Sequence, residues 1–404
     1  MAQEQVGGRR RDSTPLPVPA GGGGRGRPAR LDSLTGVRFF AASGVVFAHA
    51  MTFGADGPAP EVVSWLGMSA VTLFFILSGY VLTHSWRPGD TARAFWRRRA
   101  AKVLPNHVLT WGGALLVTAV VGTALTPRDP GALADVAALL LVHTWVSPEY
   151  ALAGNVVAWS LAAEALFYLL FPALIPLVLR LTRRGCLALA AVSLVVLWSL
   201  PLFCALLIDP HTMDGIPQGS DASWFLYVLP AARLPQFLLG MVVARLSVLA
   251  PELPRIGVLR VCGLLTVTLL AGSAWLPDAF MCSAVTTFSL ALLIHAVSGL
   301  DLRGEWSLLR TRVAVFLGEI SYALYLVHFQ ILILTHHVTS EHGWSRGPAL
   351  TLALTLTLLM AWLLYVSVER PFMRRFARPR PRPRTQPPEV SRGRGRPWRP
   401  GRGW

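Results

Sequence analysis

The chain has 404 residues, 53% of them hydrophobic by type and only 14% charged, with a mean hydropathy of +0.50. A soluble domain carries about 25% charged residues, so this composition excludes an ordinary soluble enzyme and implies a chain that lives in a bilayer. The formal net charge of +16 does not mark a nucleic-acid binder, because twelve of the arginines are concentrated in residues 370–404.

The two ends differ from everything between them. Residues 1–30 contain Arg9-Arg10-Arg11 and a run of four glycines, and 373–404 contain RPRPRPR and SRGRGRPWRPGRGW. Such Pro/Gly/Arg-rich sequence has nothing to bury. Both tails are predicted to be disordered and to lie against an anionic lipid surface. No folded nucleic-acid reader accompanies them, so no specific nucleic-acid partner is expected. The polar run that precedes the first apolar stretch argues against a cleaved signal peptide.

Between the tails, apolar stretches occur at 34–53, 62–84, 103–124, 156–179, 187–208, 224–246, 258–276, 279–298, 313–336 and 348–368. A helix crosses the hydrocarbon with about 20 residues, so residues 31–372 are predicted to form one all-α integral membrane domain of about ten transmembrane helices. A further weak stretch, 132–147, carries Asp135. Counting it as a span would put every later basic loop outside. With ten spans and a cytoplasmic N-terminus, the basic segments 85–102, 180–186, 245–257 and 299–312 all fall inside, as the positive-inside rule demands. The 132–147 stretch is therefore predicted to be interfacial or re-entrant, and both termini to be cytoplasmic. Cys186, Cys204, Cys262 and Cys282 are widely spaced and form neither a thiolate metal cluster nor a CxxC pair. They are expected to pack as small hydrophobes, and no metal site is expected.

Polar residues inside apolar segments need a partner or a task, and four groups stand out in chain order. In the first span, RFFAASGVVFAH places Arg38 and His49 eleven residues apart, on nearly one helix face and about 16 Å apart along the axis. Arg38 alone suits a snorkelling helix start; His49 is a packed histidine or a general base toward a hydroxyl. Next, FWRRRAAKVLPNH clusters Arg97, Arg98, Arg99 and Lys102 where the third span begins. Four cations exceed what anchoring needs and suit a phosphate-bearing ligand.

The third group, NVVAWSLAAEALFYLLFP, sets Glu164 near mid-bilayer, with Ser160 one turn above and Tyr168 one turn below. A carboxylate there requires a partner, for which Arg38, Arg233 and His328 are the candidates; a purely structural pair is the alternative. Last, GEISYALYLVHFQ aligns Tyr322, Tyr325 and His328 every three residues, a stripe that serves either packing or substrate. Glu369-Arg370-Pro371 closes the final span, where Glu369 is expected to meet local arginines.

Taken together these segments resemble the acyltransferase family 3 membrane proteins, which O-acylate sugars, surface polysaccharides and some antibiotics. Arg38 and His49 match the family's arginine, ten residues, histidine pattern. Phe74, Phe75, Leu77, Ser78 and Gly79 match its FF-x-L-S-G signature; the WSL-x-x-E segment Trp159 to Glu164, the SYALYLVH segment and the terminal E-x-P follow in order over about 31–372. Where the family usually has arginine, two residues, arginine, this chain has Arg99, two alanines and Lys102, so the charge survives but the second fork does not. That variation is similar to the actinobacterial branch acting on macrolide-type antibiotics.

The resemblance implies a multi-pass protein of the bacterial plasma membrane. The implied donor is acyl-coenzyme A, acetyl-CoA in the simplest case, with Arg98, Arg99 and Lys102 meeting its phosphates. Its acceptor would be a hydroxyl of a macrolide or sugar-containing small molecule, or alternatively of a cell-surface polysaccharide or glycolipid. His49 would be the general base, with Glu164 and Arg38 supporting it and Ser160, Tyr168, Tyr322, Tyr325 and His328 lining the substrate site or packing. Direct attack on the thioester is expected; Ser78 and Ser160 are the alternative nucleophiles. The rival from another class is a secondary transporter, which also buries charged residues in a helix bundle.

Overall fold

Among the described residues, ten helices of 16 to 30 residues carry the chain back and forth. The computed structural model describes residues 30–53, 61–87, 89–122, 131–217, 219–251 and 255–376, so the two predicted tails lie almost wholly outside the described residues. The helices are α1 (Asp32–Thr52), α2 (Glu61–Ser85), α3 (Ala92–Val121), the short α4 (Ala132–Leu139), α5 (Trp159–Arg180), α6 (Arg183–Leu207), α7 (Pro230–Leu249), α8 (Val258–Trp275), α9 (Thr287–Leu302), α10 (Arg312–Glu341) and α11 (Arg346–Leu364), the last continuing through a π-turn into α12 (Arg370–Phe376). No strand occurs among the described residues. Nine of these segments are long and apolar enough to cross a membrane, and α9 is the shorter tenth. The chain is a multi-pass, all-helical membrane protein. Helix α12 runs to Phe376.

The shortness of α9 has a cause that hydropathy does not carry. The apolar run 279–298 breaks at 282–286, between a single turn at Asp278–Met281 and the start of α9. Arg233 of α7 is fully buried and donates from Nη1 to the Cys282 carbonyl at 3.0 Å and from Nε to the Tyr227 carbonyl at 2.8 Å. Gln236, one turn on, donates to the Ser283 carbonyl at 3.1 Å. Carbonyls in an intact helix are already occupied, so the break supplies acceptors to two buried donors. Arg233 is thereby committed, stacked 4.5 Å from the Tyr227 ring centroid, and is not the partner of Glu164.

Helices α2, α7 and α10 are mostly buried, whereas α6, α8 and α11 turn most of their apolar surface outward, as lipid-facing helices do. Glycines set the crossing of α2 with α7: a Cβ on Gly79 would strike the Phe237 carbonyl and one on Gly240 the Ile76 carbonyl. Small residues allow membrane helices to approach backbone to backbone. Beside this crossing an aromatic wall forms, with Phe167 and Phe237 stacked at 4.7 Å and Phe95 and Phe171 at 4.9 Å. Of the cysteines, Cys186, Cys204 and Cys282 are buried as expected, but Cys262 is exposed on the outward face of α8.

The 132–147 segment is no span. It is the eight-residue α4 followed by a turn and a single 3-10 turn at His143–Trp145, doubled back on α3. Trp111 donates to the Asp135 carbonyl at 2.9 Å, and the Asp135 carboxylate accepts from Gly154 N–H at 3.1 Å.

Helix α1 is started from outside itself. Its N-cap Leu31 has no side chain able to accept, which would leave the first N–H groups orphaned. Asp301, at the end of α9, supplies the acceptors: Ser33 N–H meets its two carboxylate oxygens at 3.0 and 2.9 Å, and Leu34 N–H one of them at 3.2 Å. A carboxylate at a helix N-terminus is favoured by charge as well as by hydrogen bonding.

Candidate active site

Five helices bring the sequence motifs to one cavity. Helix α1 contributes Arg38, α2 Phe74 and Ser78, α3 Arg99 and Lys102, α5 Ser160, Glu164 and Tyr168, and α10 Ser321, Tyr322 and Tyr325. Residues separated by hundreds of positions in sequence therefore face one space. The wall is mixed: three cations and one carboxylate at one end, and the apolar side chains of α2 and α5 along the side.

The polar groups are individually held. Tyr168 donates to Glu164 at 2.7 Å, one turn away on α5, so Glu164 has a phenol as partner rather than any of the three expected side chains. Tyr322 donates to the Val103 carbonyl at 3.1 Å. Ser160 donates to Tyr325 Oη at 2.9 Å, and that phenol donates to the Val157 carbonyl at 3.2 Å. Ser160 thus has a phenol beside it and no imidazole, an arrangement that does not activate a serine. The Arg99 guanidinium lies 5.7 Å from the Phe95 ring centroid and 6.0 Å from that of Tyr168. The buried Nε atoms of Arg38 and Arg99 find no acceptor among the described residues; buried guanidinium donors left open suit an anionic ligand.

Arg38 and Lys102 also line a second cavity, together with Arg30, Arg370 and Arg374. The two cations therefore form a neck between the chamber and a basic antechamber. Two carboxylates there are already engaged: Glu369 accepts from Asn106 at 2.9 Å, and Glu319 accepts from Tyr365 at 2.9 Å and pairs with Arg30 at 3.0 Å. Glu369 thus takes its hydrogen bond from an asparagine of α3, with Arg38 and Arg370 lining the same cavity. Arg98 is not brought to either cavity. It turns away to pair with Asp90 at 3.1 Å, leaving Arg99 and Lys102 as the members of the predicted basic trio that face the site. Arg374 carries no signal in the sequence and Arg370 one only as part of Glu369-Arg370-Pro371, since cations at a helix end look like membrane anchors.

His49 stands apart from this chamber, behind Tyr325. Its Nδ1 is 2.9 Å from Nε2 of His328, and Nδ1 of His328 is 2.7 Å from the Tyr325 carbonyl. The His328 ring is fully buried, while His49 is only partly so. On the far side, His49 meets the Phe329 ring edge-on at 5.1 Å and Phe329 meets Phe53 at 5.6 Å. Phe53 lines a third cavity, with Thr335, His336, Thr339, Trp344 and Arg346. The histidine pair therefore lies between a cationic chamber at the Arg38 end of α1 and a polar, aromatic cavity at its other end.

A bundle of membrane-spanning helices enclosing a cationic neck, a chamber and a buried histidine pair defines a polytopic membrane protein with the parts of a group-transfer site. The profile of the acyltransferase domain family (Acyl_transf_3) matches residues 31–366, and the chain belongs to that family. It is 36% identical to Acyltransferase MdmB of Streptomyces mycarofaciens, over 87% of this chain and 94% of that protein. It is 26% identical to O-acetyltransferase OatA of Staphylococcus aureus over 86% of this chain, which spans 58% of that protein's length. No solved structure matches. The chain is accordingly an O-acyltransferase of the bacterial membrane.

Proposed function

We propose that this enzyme moves an acyl group, acetyl in the simplest case, from acyl-coenzyme A to a hydroxyl of a macrolide or another sugar-bearing small molecule. The observation that carries this is the neck: Arg38 and Lys102 line both the basic antechamber and the chamber beyond it. A donor with anionic phosphates, a long neutral arm and an acyl tip has that same division of chemistry. The phosphates would lie among Arg30, Arg370 and Arg374, contacts from which arginine gains bidentate geometry, and the arm would pass Arg38, Arg99 and Lys102. The distribution of basic loops supports a cytoplasmic side for this antechamber and for both termini.

His49 would then act as general base. Its Nε2 takes the proton of the acceptor hydroxyl as the oxygen attacks the thioester carbonyl. The carbon–sulfur bond breaks, the ester forms, and the proton passes to the departing thiolate to give the free thiol. The thioester reaches His49 past Tyr325, the side chain between the chamber and the histidine pair. Glu164, held by Tyr168, would offset the cations of the chamber and orient the arm, while Tyr322 and Ser160 fix its walls.

A second reading, O-acylation of a cell-surface glycan or glycolipid, is favoured by the third cavity. It opens beyond His49 at the end of α1 opposite to the basic antechamber, and its Trp344 ring beside threonine hydroxyls is a surface suited to a sugar. The experiment uses purified protein in lipid nanodiscs with labelled acetyl-CoA and a panel of macrolides and oligosaccharides. Acceptor-dependent release of coenzyme A, with label in the acceptor, supports transfer and ranks the two acceptor classes. Acceptor flux across proteoliposomes without ester formation would establish transport in its place.

A further inference from the structure

We propose that His328 is a positioning residue for His49: it holds the His49 imidazole as the Nδ1–H tautomer and leaves Nε2 bare to accept a proton, an inference that rests on the reading of His49 as base. It starts from a carbonyl oxygen, which only accepts. Nδ1 of His328 is 2.7 Å from the Tyr325 carbonyl, so the proton in that contact sits on His328 Nδ1. In a neutral imidazole the other nitrogen is then an acceptor. That nitrogen, His328 Nε2, is 2.9 Å from His49 Nδ1. Two bare nitrogens cannot share a hydrogen bond, so the proton between the rings belongs to His49 Nδ1. The remaining nitrogen of His49 is the one with its lone pair free.

The ring geometry agrees. The two imidazoles are within 16° of parallel, with centroids 5.2 Å apart. With a nitrogen–nitrogen contact of 2.9 Å, such a centroid separation arises when the rings meet edge to edge, with each nitrogen close to the line joining the centroids. The Nδ1–H of His49 is thus directed along the lone pair of His328, which is where an acceptor is strongest. Among the described residues no carboxylate meets either ring. The Phe329 ring closes one side of His49 at 5.1 Å and the Tyr325 ring lies 5.7 Å from His328.

The consequence is chemical. Which imidazole nitrogen holds the proton is set by the hydrogen bond that the other one makes. A neutral histidine taking a backbone bond therefore does here what a carboxylate does for the imidazole in a catalytic triad. When His49 Nε2 takes a proton, the bond from Nδ1–H to His328 becomes charge-assisted and strengthens, so its contribution is greater as the reaction proceeds than in the resting enzyme.

Three variants separate this role from packing. His328→Phe keeps the ring volume and removes both nitrogens. His328→Asn keeps an amide where Nδ1 stands, able to bond the Tyr325 carbonyl, but falls short of His49. His328→Gln extends far enough to offer an amide oxygen in the place of Nε2. Imidazole nitrogen NMR on isotope-labelled histidine, with the His49 signal identified from His49→Ala, reads the tautomer directly and needs no acceptor. The expected result is Nδ1–H in the wild type and in His328→Gln, and loss of that preference in His328→Asn and His328→Phe. An Nε2–H tautomer of His49 in the wild type overturns the proposal.

With the acceptor that gives the highest rate, His328→Asn should lower kcat by on the order of 10- to 100-fold, the cost typical of outer-shell partners. KM for acetyl-CoA should stay unchanged, and Gln should restore most of the rate. Equal rates for Asn and wild type overturn the positioning role while leaving His49 as base intact. Full activity of His49→Ala removes the base itself, a different result from either.

Discussion

Replacing Asp301 by alanine tests how α1, the helix that carries both Arg38 and His49, is held in register with the rest of the bundle. The carboxylate has no exposed side-chain surface and accepts from Ser33 and Leu34 in three contacts of 2.9 to 3.2 Å; Arg310 stands 3.6 Å away. Losing an N-cap costs about 0.5–2 kcal/mol. Here no residue of α1 can replace it, because Leu31 occupies the cap position and the Ser33 N–H is left buried, adding about 1–3 kcal/mol for an unmet donor. Discounting for overlap between these two contributions, Asp301→Ala should destabilise by about 2–4 kcal/mol. Asp301→Asn, which keeps one acceptor oxygen, should lose about half of that. Reversible unfolding in mixed detergent micelles measures both, with Asp214→Ala as control, since Asp214 is 78% exposed and meets only His211. A loss below about 0.5 kcal/mol for Asp301→Ala, or an asparagine form as damaged as the alanine form, would refute capping in trans as what fixes α1.

Further substitutions probe the site and the bundle. His49→Ala should leave a folded protein that has lost at least about 10² in kcat; turnover close to wild type, at matched protein levels, would show that the base lies elsewhere. Lys102→Ala should raise KM for acetyl-CoA with a small effect on kcat, and Lys102→Arg should keep KM near wild type, since arginine retains the charge at the neck that alanine removes; donor dependence of the initial rate decides between them. Gly240→Leu should prevent the close crossing of α7 with α2, where even a Cβ meets the Ile76 carbonyl, and should be seen as loss of monodisperse protein in size-exclusion chromatography, whereas Gly113→Leu, at a position open on all sides, should not.

What could be read from the sequence divides along a physical line. Span positions follow from composition over some twenty residues, and the shared face of Arg38 and His49 follows from helix period, because both depend only on neighbours along the chain. The pairing of Tyr168 with Glu164 is a case of the same kind, one turn apart on one helix. What could not be read lies mainly in contacts between helices. Glu164 had three charged candidates by sequence, yet a carboxylate in a chamber with Arg38, Arg99 and Lys102 needs only a local phenol to complete its hydrogen bonding. Arg233 was drawn elsewhere by the broken helix before α9, whose apolar residues hide the break from any hydropathy window. His328 stood in the sequence as one polar residue in an aromatic stripe, and 278 residues separate it from His49 along the chain, excluding both ends. Its value comes from Tyr325, three positions earlier, whose side chain closes the chamber while its carbonyl sets the protonation of the ring behind. One residue thus places a wall and a tautomer at once, which explains how a neutral histidine can stand where a buried carboxylate would have been costly: the backbone supplies the acceptor, and no charge has to be desolvated until the proton arrives.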